Sequence, residues 1–460
     1  MLSEELVKKV LAAAAGKGSD LAELYVESKT SRSLRLEDRR IEDVASGKDA
    51  GAGVRVVAGP RSAYAFTNVL TEAALLETAT IARAELAEDP GRKIDLRRVE
   101  PGAVHPVERR AETASGEDLA TILKASDETA RAAGAEIRQV IVSYMSVEQN
   151  VLVASTDGRL ATDDRSRLRF AVQVVAGRDG VITTGFDAPG HSGGLELLDR
   201  RPPAEIASRA ATKALKMLDA KPSPAGEFPV VLAPGTGGVL IHEACGHGLE
   251  GDTLVKDASV YAKREGERFG SESVTIIDDG SDVGAWGSFG VDDEGTPSQR
   301  TVLFDQGVLV GCMTDLNSAH KLNKNPTGNG RRQSYAHLPV VRMTNTYLLP
   351  GPDDPDEIIR SIERGVYAAT FAGGEVNPAT GNFVFGMSEA YMIENGAIAY
   401  PIKGANIIGN GPQVLQVIDA VAADFGRTEG VCGKDGQHAP VTNGMSTVLL
   451  GKMTVGGTEA

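Results

Sequence analysis

The chain has 460 residues, 41% hydrophobic and 24% charged, with 48 Lys and Arg against 63 Asp and Glu for a formal net charge of −15. That length leaves room for two domains with buried cores, and that composition excludes a disordered or fibrous chain. An acidic field of this size repels phosphate backbones and anionic lipid, which argues against direct nucleic-acid or membrane binding while still permitting a local basic groove.

Ser3 precedes an amphipathic run and predicts a capped helix from about Glu4 to Ala15, stopped by the Gly16 to Gly18 region. Its pattern is not that of a signal peptide, and no stretch of the chain approaches membrane-spanning length. AELYVESKT, SRSLRLED and GVRVVAG alternate apolar and polar residues as antiparallel strands do, and TEAALLETATIARAELAE returns to helical spacing from Thr71. Pro and charge cluster from roughly Asp89 to Glu112, which predicts a surface excursion. Strand-like runs then recur in IRQVIVSYM, NVLVAST, GRLATDD and LRFAVQVVAG before a helix from Ala204. Val56-Val57-Ala58-Gly59 matches Val174-Val175-Ala176-Gly177, and charged turns at Glu37-Asp38-Arg39 and Asp157-Gly158-Arg159 precede them at similar distances, so the strand-then-helix unit reads as an internal duplication.

Pro222 and Pro224 break that helix and divide the chain into an N-terminal α+β domain, residues 1–222, and a C-terminal domain, residues 223–460. In the second half, DDPDEIIRSIERGVYAA has a helical signal, whereas VTIIDD, TVLFDQGVLVG, YMIENGAIAYP and TVLLGKMTV predict antiparallel strands. The expected fold class is α+β, with the C-terminal domain rich in strands and carrying the site. The three cysteines, Cys245, Cys312 and Cys432, are too few and too scattered for a disulfide framework and fit reduced thiols in a cytoplasmic protein.

Chemistry concentrates in PGTGGVLIHEACGHGLEGD, residues 234–252, just after the EFPVVLAP strand. His242 and His247 stand five apart with Glu243 directly after the first, a pattern that suits zinc hydrolysis. Two imidazoles hold the metal, and a neighbouring carboxylate serves as general base for water and then as acid for the leaving amine. The spacing demands a distortion. Residues four apart on a regular helix differ by about 40° in azimuth, but residues five apart differ by about 140°. Convergence therefore predicts a bulge or helix end at Cys245-Gly246. The bland alternative is a pair of buried histidines satisfied by hydrogen bonds. A third protein ligand is needed, and sequence alone leaves Cys432, His438, Glu250, Asp252 and Cys245 open.

Other signals are weaker. GHSGG at 190–194 fits a nucleophile-elbow pattern but follows FDAPG rather than a strand. PGTGG lacks the last glycine of a dinucleotide turn, since Leu240 stands there. Arg331-Arg332 reads as a surface pair and Asp292-Asp293-Glu294 as a solvated turn.

Over nearly its whole length the sequence resembles the TldD/PmbA metallopeptidases, in particular the TldD branch. The resemblance rests on GGVLIHEACGHGLEGD, DDEGTPSQ, NPTGNGRRQSYAHLPVVRMTNTYLLPG, GGEVNPATGNFVFGMSEAYMIENG and the ending VCGKDGQHAPVTNGMSTVLLGKMTVGGT. It implies zinc ligands at His242, His247 and Cys432, and the catalytic glutamate at Glu243. It further implies that unfolded or extended peptides enter an enclosed cavity and lie against a strand edge. The partner would be a PmbA/TldE-like paralogue lacking the zinc motif, or a second copy of this chain. A reading from another class is a non-catalytic, chaperone-like peptide-binding subunit.

Overall fold

The structure is a computed structural model and describes residues 2–84, 86, 88–90 and 94–457. Helix α1 (Glu4–Ala14) opens where the Ser3 hydroxyl accepts the Leu6 N–H, and it buries Val7, Val10 and Leu11. Three antiparallel strands follow, β1 (Leu21–Glu37), β2 (Arg40–Ala58) and β3 (Arg61–Thr67), and then α2 (Glu72–Ala84). The expected continuation of α2 through Glu85 and Ala87 lies outside the described residues. The order then repeats as α3 (Gly116–Ala132), β4 (Ile137–Ser155), β5 (Arg159–Arg178), β6 (Val181–Asp187) and α4 (Pro203–Met217). Helix, two long strands, short strand, helix thus occurs twice, with the matching VVAG tetrapeptides falling near the ends of β2 and β5.

The strands join in one sheet of order β5-β4-β1-β2-β3, with β6 and the short Gly190–Ser192 strand also against β5. Successive side chains in a strand point to opposite faces. In β1, Ala22, Leu24 and Val26 meet α1 and α2, whereas Leu34 and Leu36 lie in the cluster that holds α3 and α4. The alternate residues Glu23, Tyr25 and Glu27 are also buried, because the second face of this sheet is covered by the rest of the chain.

Past the α4 boundary the main strands are β7 (Gly226–Leu232), β8 (Ile276–Asp279), β9 (Arg300–Asp305), β10 (Asn345–Leu348), β11 (Arg364–Val376), β12 (Asn382–Glu394), β13 (Ala397–Lys403), β14 (Asn406–Asn410), β15 (Gly426–Lys434), β16 (Gln437–Met445) and β17 (Val448–Gly456). β7 sits between β11 and β17, and β14 pairs with both β17 and β12, so β12, β11, β7, β17 and β14 close into a ring. A second sheet runs β9-β8-β10-β16-β15 and leaves β15 at its edge. Val230, Leu232, Ile276, Phe304, Phe383 and Val448 belong to the core shared by the two sheets. No helix among the described residues is long and apolar enough to cross a membrane.

Several expectations need correction. The paired half-strands of the N-terminal domain are continuous strands of 17 to 20 residues. Helix α3 went unanticipated, although Ser115 and Asp118 form a reciprocal capping box at its start. In DDPDEIIRSIERGVYAA only Pro355–Arg360 is helical; from Arg364 the chain is β11, where Val366 pairs in parallel with Val230 and sheet pairing overrides helix propensity. Of the expected surface excursion, residues 91–93 lie outside the described residues. Further along it Arg97 and Arg98 pair with β5, and the Gly102 N–H donates to the Gly290 carbonyl at 2.9 Å.

The surface pair Arg331-Arg332 and the solvated turn Asp292-Asp293-Glu294 are in fact buried between the N-terminal sheet and the C-terminal half. Arg332 reaches Glu23 at 2.6 Å, Arg55 bridges Glu23 at 2.9 Å and Glu294 at 2.5 Å, and Arg165 joins Asp163 and Asp293, each at 2.8 Å. Asp292 turns inward to accept the N–H groups of Glu294, Thr296 and Gly330. Charge runs read as solvated because burial is costly for an unpaired charge, and here every carboxylate of the run finds a donor.

Candidate metal centre

After β7 the chain turns sharply at Gly235, whose φ is +78°, and Gly238 starts a helical turn so close to β16 that a Cβ there would lie 2.6 Å from the Gly444 nitrogen. The Gly-rich PGTGG is thus a turn that seats the motif against the second sheet. Gly238–Ile241 is α-helical, but His242–Gly246 is a π-turn closed by the His247 N–H on the His242 carbonyl, followed by a 3₁₀ turn at His247–Leu249. The widened turn falls where the five-residue spacing requires it. Gly246 does not supply it by an unusual backbone, since its φ is −56°. It supplies space: a Cβ there would lie 2.0 Å from the Met343 sulfur.

The π-turn brings the rings of His242 and His247 to a centroid separation of 5.0 Å, perpendicular to each other. Cys432, from the edge strand β15, places its Sγ 3.3 Å from His242 Nε2 and 3.5 Å from His247 Nε2. One donor atom from each of the three side chains falls within 4.8 Å of the others. Ligands about 2.0 to 2.3 Å from a common tetrahedral centre must themselves be roughly 3.3 to 3.7 Å apart, so two imidazoles and a thiolate at these separations fit zinc. His242 Nδ1 is buried without a hydrogen-bond partner, which is not the picture of a satisfied core histidine.

The other third-ligand candidates lie elsewhere. Cys245 is buried in the core near the Tyr261 hydroxyl, and burial pushes its thiol up to about 12. Glu250 accepts from His247 Nδ1 at 3.0 Å and from Lys434 Nζ at 3.1 Å, while Asp252 accepts from Lys434 at 2.7 Å. His438 borders a different cleft. The role of Lys434 is absent from the sequence reading, yet it stands two residues from Cys432 in a strand and so shares its face.

Electrostatics favour the ligating forms. Burial opposes the Cys432 thiolate, but hydrogen bonds and charge from His242 and His247 outweigh it and pull the thiol down to about 4. For His247, burial is outweighed by Glu250 and Cys432, which raise it well above the usual imidazole range. Burial likewise opposes the Glu250 charge, and His247 with Lys434 holds the carboxyl below its ordinary value. Arg342 donates to the Cys432 carbonyl and, at 3.1 Å, to that of Gln437, tying the β15–β16 hairpin in place.

Glu243 has its Oε2 3.8 Å from His247 Nε2, too long for a hydrogen bond, and it lines the same cleft as the three donors. That cleft has a volume of about 580 Å³; its other walls include Gly374–Val376 of β11 and Gly430–Lys434 of β15. Among the described residues, β15 has β16 on one side and no strand on the other, and β11 pairs with β7 only through Val366–Ala368, so both walls offer strand edges. At GHSGG, contrary to the expectation, a short strand does lead into Ser192, but the serine is buried and its hydroxyl donates to the Ser288 carbonyl at 3.3 Å, so it is engaged rather than presented as a nucleophile.

Three family models described as domain 1, central domain and C-terminal domain of the PmbA/TldA metallopeptidases match residues 22–85, 109–218 and 225–457. A metalloprotease TldD homolog of Haemophilus influenzae is 40% identical over 455 residues, covering 96% of this chain and 93% of that one. A zinc metalloprotease TldD homolog of Saccharolobus solfataricus is 28% identical over 457 residues, covering 96% and 97%. Among solved structures, TldE from Thermococcus kodakarensis superposes with a TM-score of 0.74 at 22% identity, covering 97% of this chain and all (100%) of that one, and shares the fold.

Proposed function

The chain belongs to the PmbA/TldD metallopeptidase family, and from that premise we propose that it is a zinc peptidase acting on extended or unfolded peptides within the cleft beside His242, His247 and Cys432. The observation that carries the reading is the gathering of those three donors beside Glu243 in a cleft walled by strand edges. Zinc held by His242, His247 and Cys432 would supply Lewis-acid chemistry, acidifying water and stabilising negative charge on the peptide carbonyl.

The chain's own residues account for the rest. Glu243 takes the proton of the attacking water and delivers it to the amine nitrogen as the C–N bond breaks. Glu250, fixed by Lys434, holds His247 by its Nδ1 and so orients the ring. The edges of β11 and β15 offer main-chain donors and acceptors to an extended peptide, a mode of binding that asks little of its side chains. The 580 Å³ cleft shelters the reaction, and pairing with a TldE-like chain, in keeping with the Thermococcus neighbour, would enclose it further.

The test is cleavage of an unfolded peptide by the zinc-loaded protein, alone and with a TldE-like partner. Glu243→Gln is expected to bind zinc as before and to lose at least about a hundredfold in turnover. A Glu243→Gln protein as active as its parent would remove Glu243 from the role of general base, and no cleavage by the zinc-loaded parent would instead leave a peptide-binding subunit with a structural metal.

A further inference from the structure

Among the described residues, three buried guanidiniums bond only to main-chain oxygens. Arg167 donates to the carbonyls of Trp286 at 3.1 Å and Ser288 at 3.0 Å, Arg331 to those of Met343 at 2.6 Å and Pro440 at 2.8 Å, and Arg342 to those of Gln437 and Cys432. Arg167 and Arg331 are 8% and 5% exposed and line a second cleft, of about 360 Å³, between the N-terminal sheet and the β15–β16 hairpin. Arg165 and Arg332 line it too, but these have carboxylate partners. Asp293, the one carboxylate in the wall, is already engaged by Arg165 and by the Arg332 N–H. Among the described residues, the cleft therefore holds two cations that form no ion pair of their own, although Asp293 acts on both from a distance. Burial first, and then the neighbouring guanidiniums, drag Arg167 down to about 10 and Arg331 down to about 9. In a chain with net charge −15, a locally cationic hole of this kind calls for an anion.

The position says which anion. Val431, adjacent to Cys432 on the edge strand, borders both this cleft and the metal cleft, so a peptide lying along β15 passes from one to the other. The anionic group a peptide carries is a carboxylate, whose planar pair of oxygens matches a guanidinium fork. Apolar side chains, Trp286, Val147 and Pro440 among them, line the same cleft and exclude water around such a pair.

We propose that this arginine cleft is an anion subsite of the peptidase, taking a carboxylate of the bound peptide, either its C-terminal group or an acidic side chain. The proposal rests on the peptidase reading above. It is tested by calorimetric titration of the zinc-loaded Glu243→Gln protein with three peptides: penta-alanine as free acid, penta-alanine C-terminal amide, and an amide in which one alanine is glutamate. At least one charged peptide should bind about tenfold or more tightly than the neutral amide. Which of them does so identifies the source of the carboxylate.

Arg167→Met and Arg331→Met should each bring the three peptides to parity. Lys29→Met, at the partly buried rim, gives up a long 4.0 Å ion pair with Glu27 but leaves the arginine–carbonyl bonds intact, and should reduce the preference. Equal affinities for all three peptides, or a preference unchanged in folded Arg167→Met, Arg331→Met and Lys29→Met proteins, overturns the subsite. Turnover by the unsubstituted protein is scored separately. Cleavage with no preference sinks the subsite alone, and absence of cleavage sinks the peptidase reading.

Discussion

At the scale of single residues, Glu250 comes first, because it touches His247, a proposed metal donor, without joining the proposed ligand set. Glu250→Gln keeps the shape but forfeits the charge that Lys434 and His247 share. Zinc affinity, measured by competition with a chelator, should fall about 10- to 100-fold while the fold survives. The pH behaviour of the centre follows from two opposite shifts. Cys432 is held ionised down to about 4, so at neutral pH it has no proton to lose; His247, raised well above its ordinary value, still carries one. Metal must displace that proton, so affinity rises with pH until the His247 value is passed. Calorimetry in buffers of different ionisation heat should find about one proton released per zinc near pH 7. His242, Glu243 and His247 were legible as a motif, and Cys432 through family resemblance. Lys434 and Arg342 were not, because their partners are fixed only when the β15–β16 hairpin folds beside the motif.

At the scale of elements, the π-turn is the feature the sequence announced most directly: a five-residue spacing cannot converge on a regular helix. What the sequence could not show is why glycine sits at 246, since that depends on Met343, almost a hundred positions away in the chain. Gly246→Ala should force Met343 aside, destabilise the protein by about 1 to 3 kcal/mol in urea unfolding and lower zinc content. Adding Met343→Ala should restore part of both, since the clash is with that one side chain. Strand lengths were misjudged for a related reason. The polar run Ser28 to Ser33 ends the apolar alternation of β1, and the strand runs on through it because β2 and β4 pair with it on both sides, Lys29 opposite Asp49 and Gln149.

At the scale of the whole molecule, buried ion pairs cross between the two halves. Arg55 bridges Glu23 of the N-terminal sheet and Glu294 of the C-terminal half, all three nearly inaccessible. Arg55→Met leaves Glu294 without its ionic partner and should cost about 3 to 5 kcal/mol, read as a lowered urea midpoint. The α+β character could be argued from the pattern of the sequence, whereas this interface could not, because its ion pairs join residues up to 309 positions apart. Distance along the chain governs the metal centre as well, since 185 residues separate His247 from Cys432. At roughly 5 to 20 residues per second of synthesis, a growing polypeptide exposes its histidines about ten to forty seconds before the thiol emerges. For that interval a nascent molecule holds only part of the proposed ligand set, so on the zinc-peptidase proposal hydrolytic competence would be withheld until translation has passed the hairpin that delivers the cysteine.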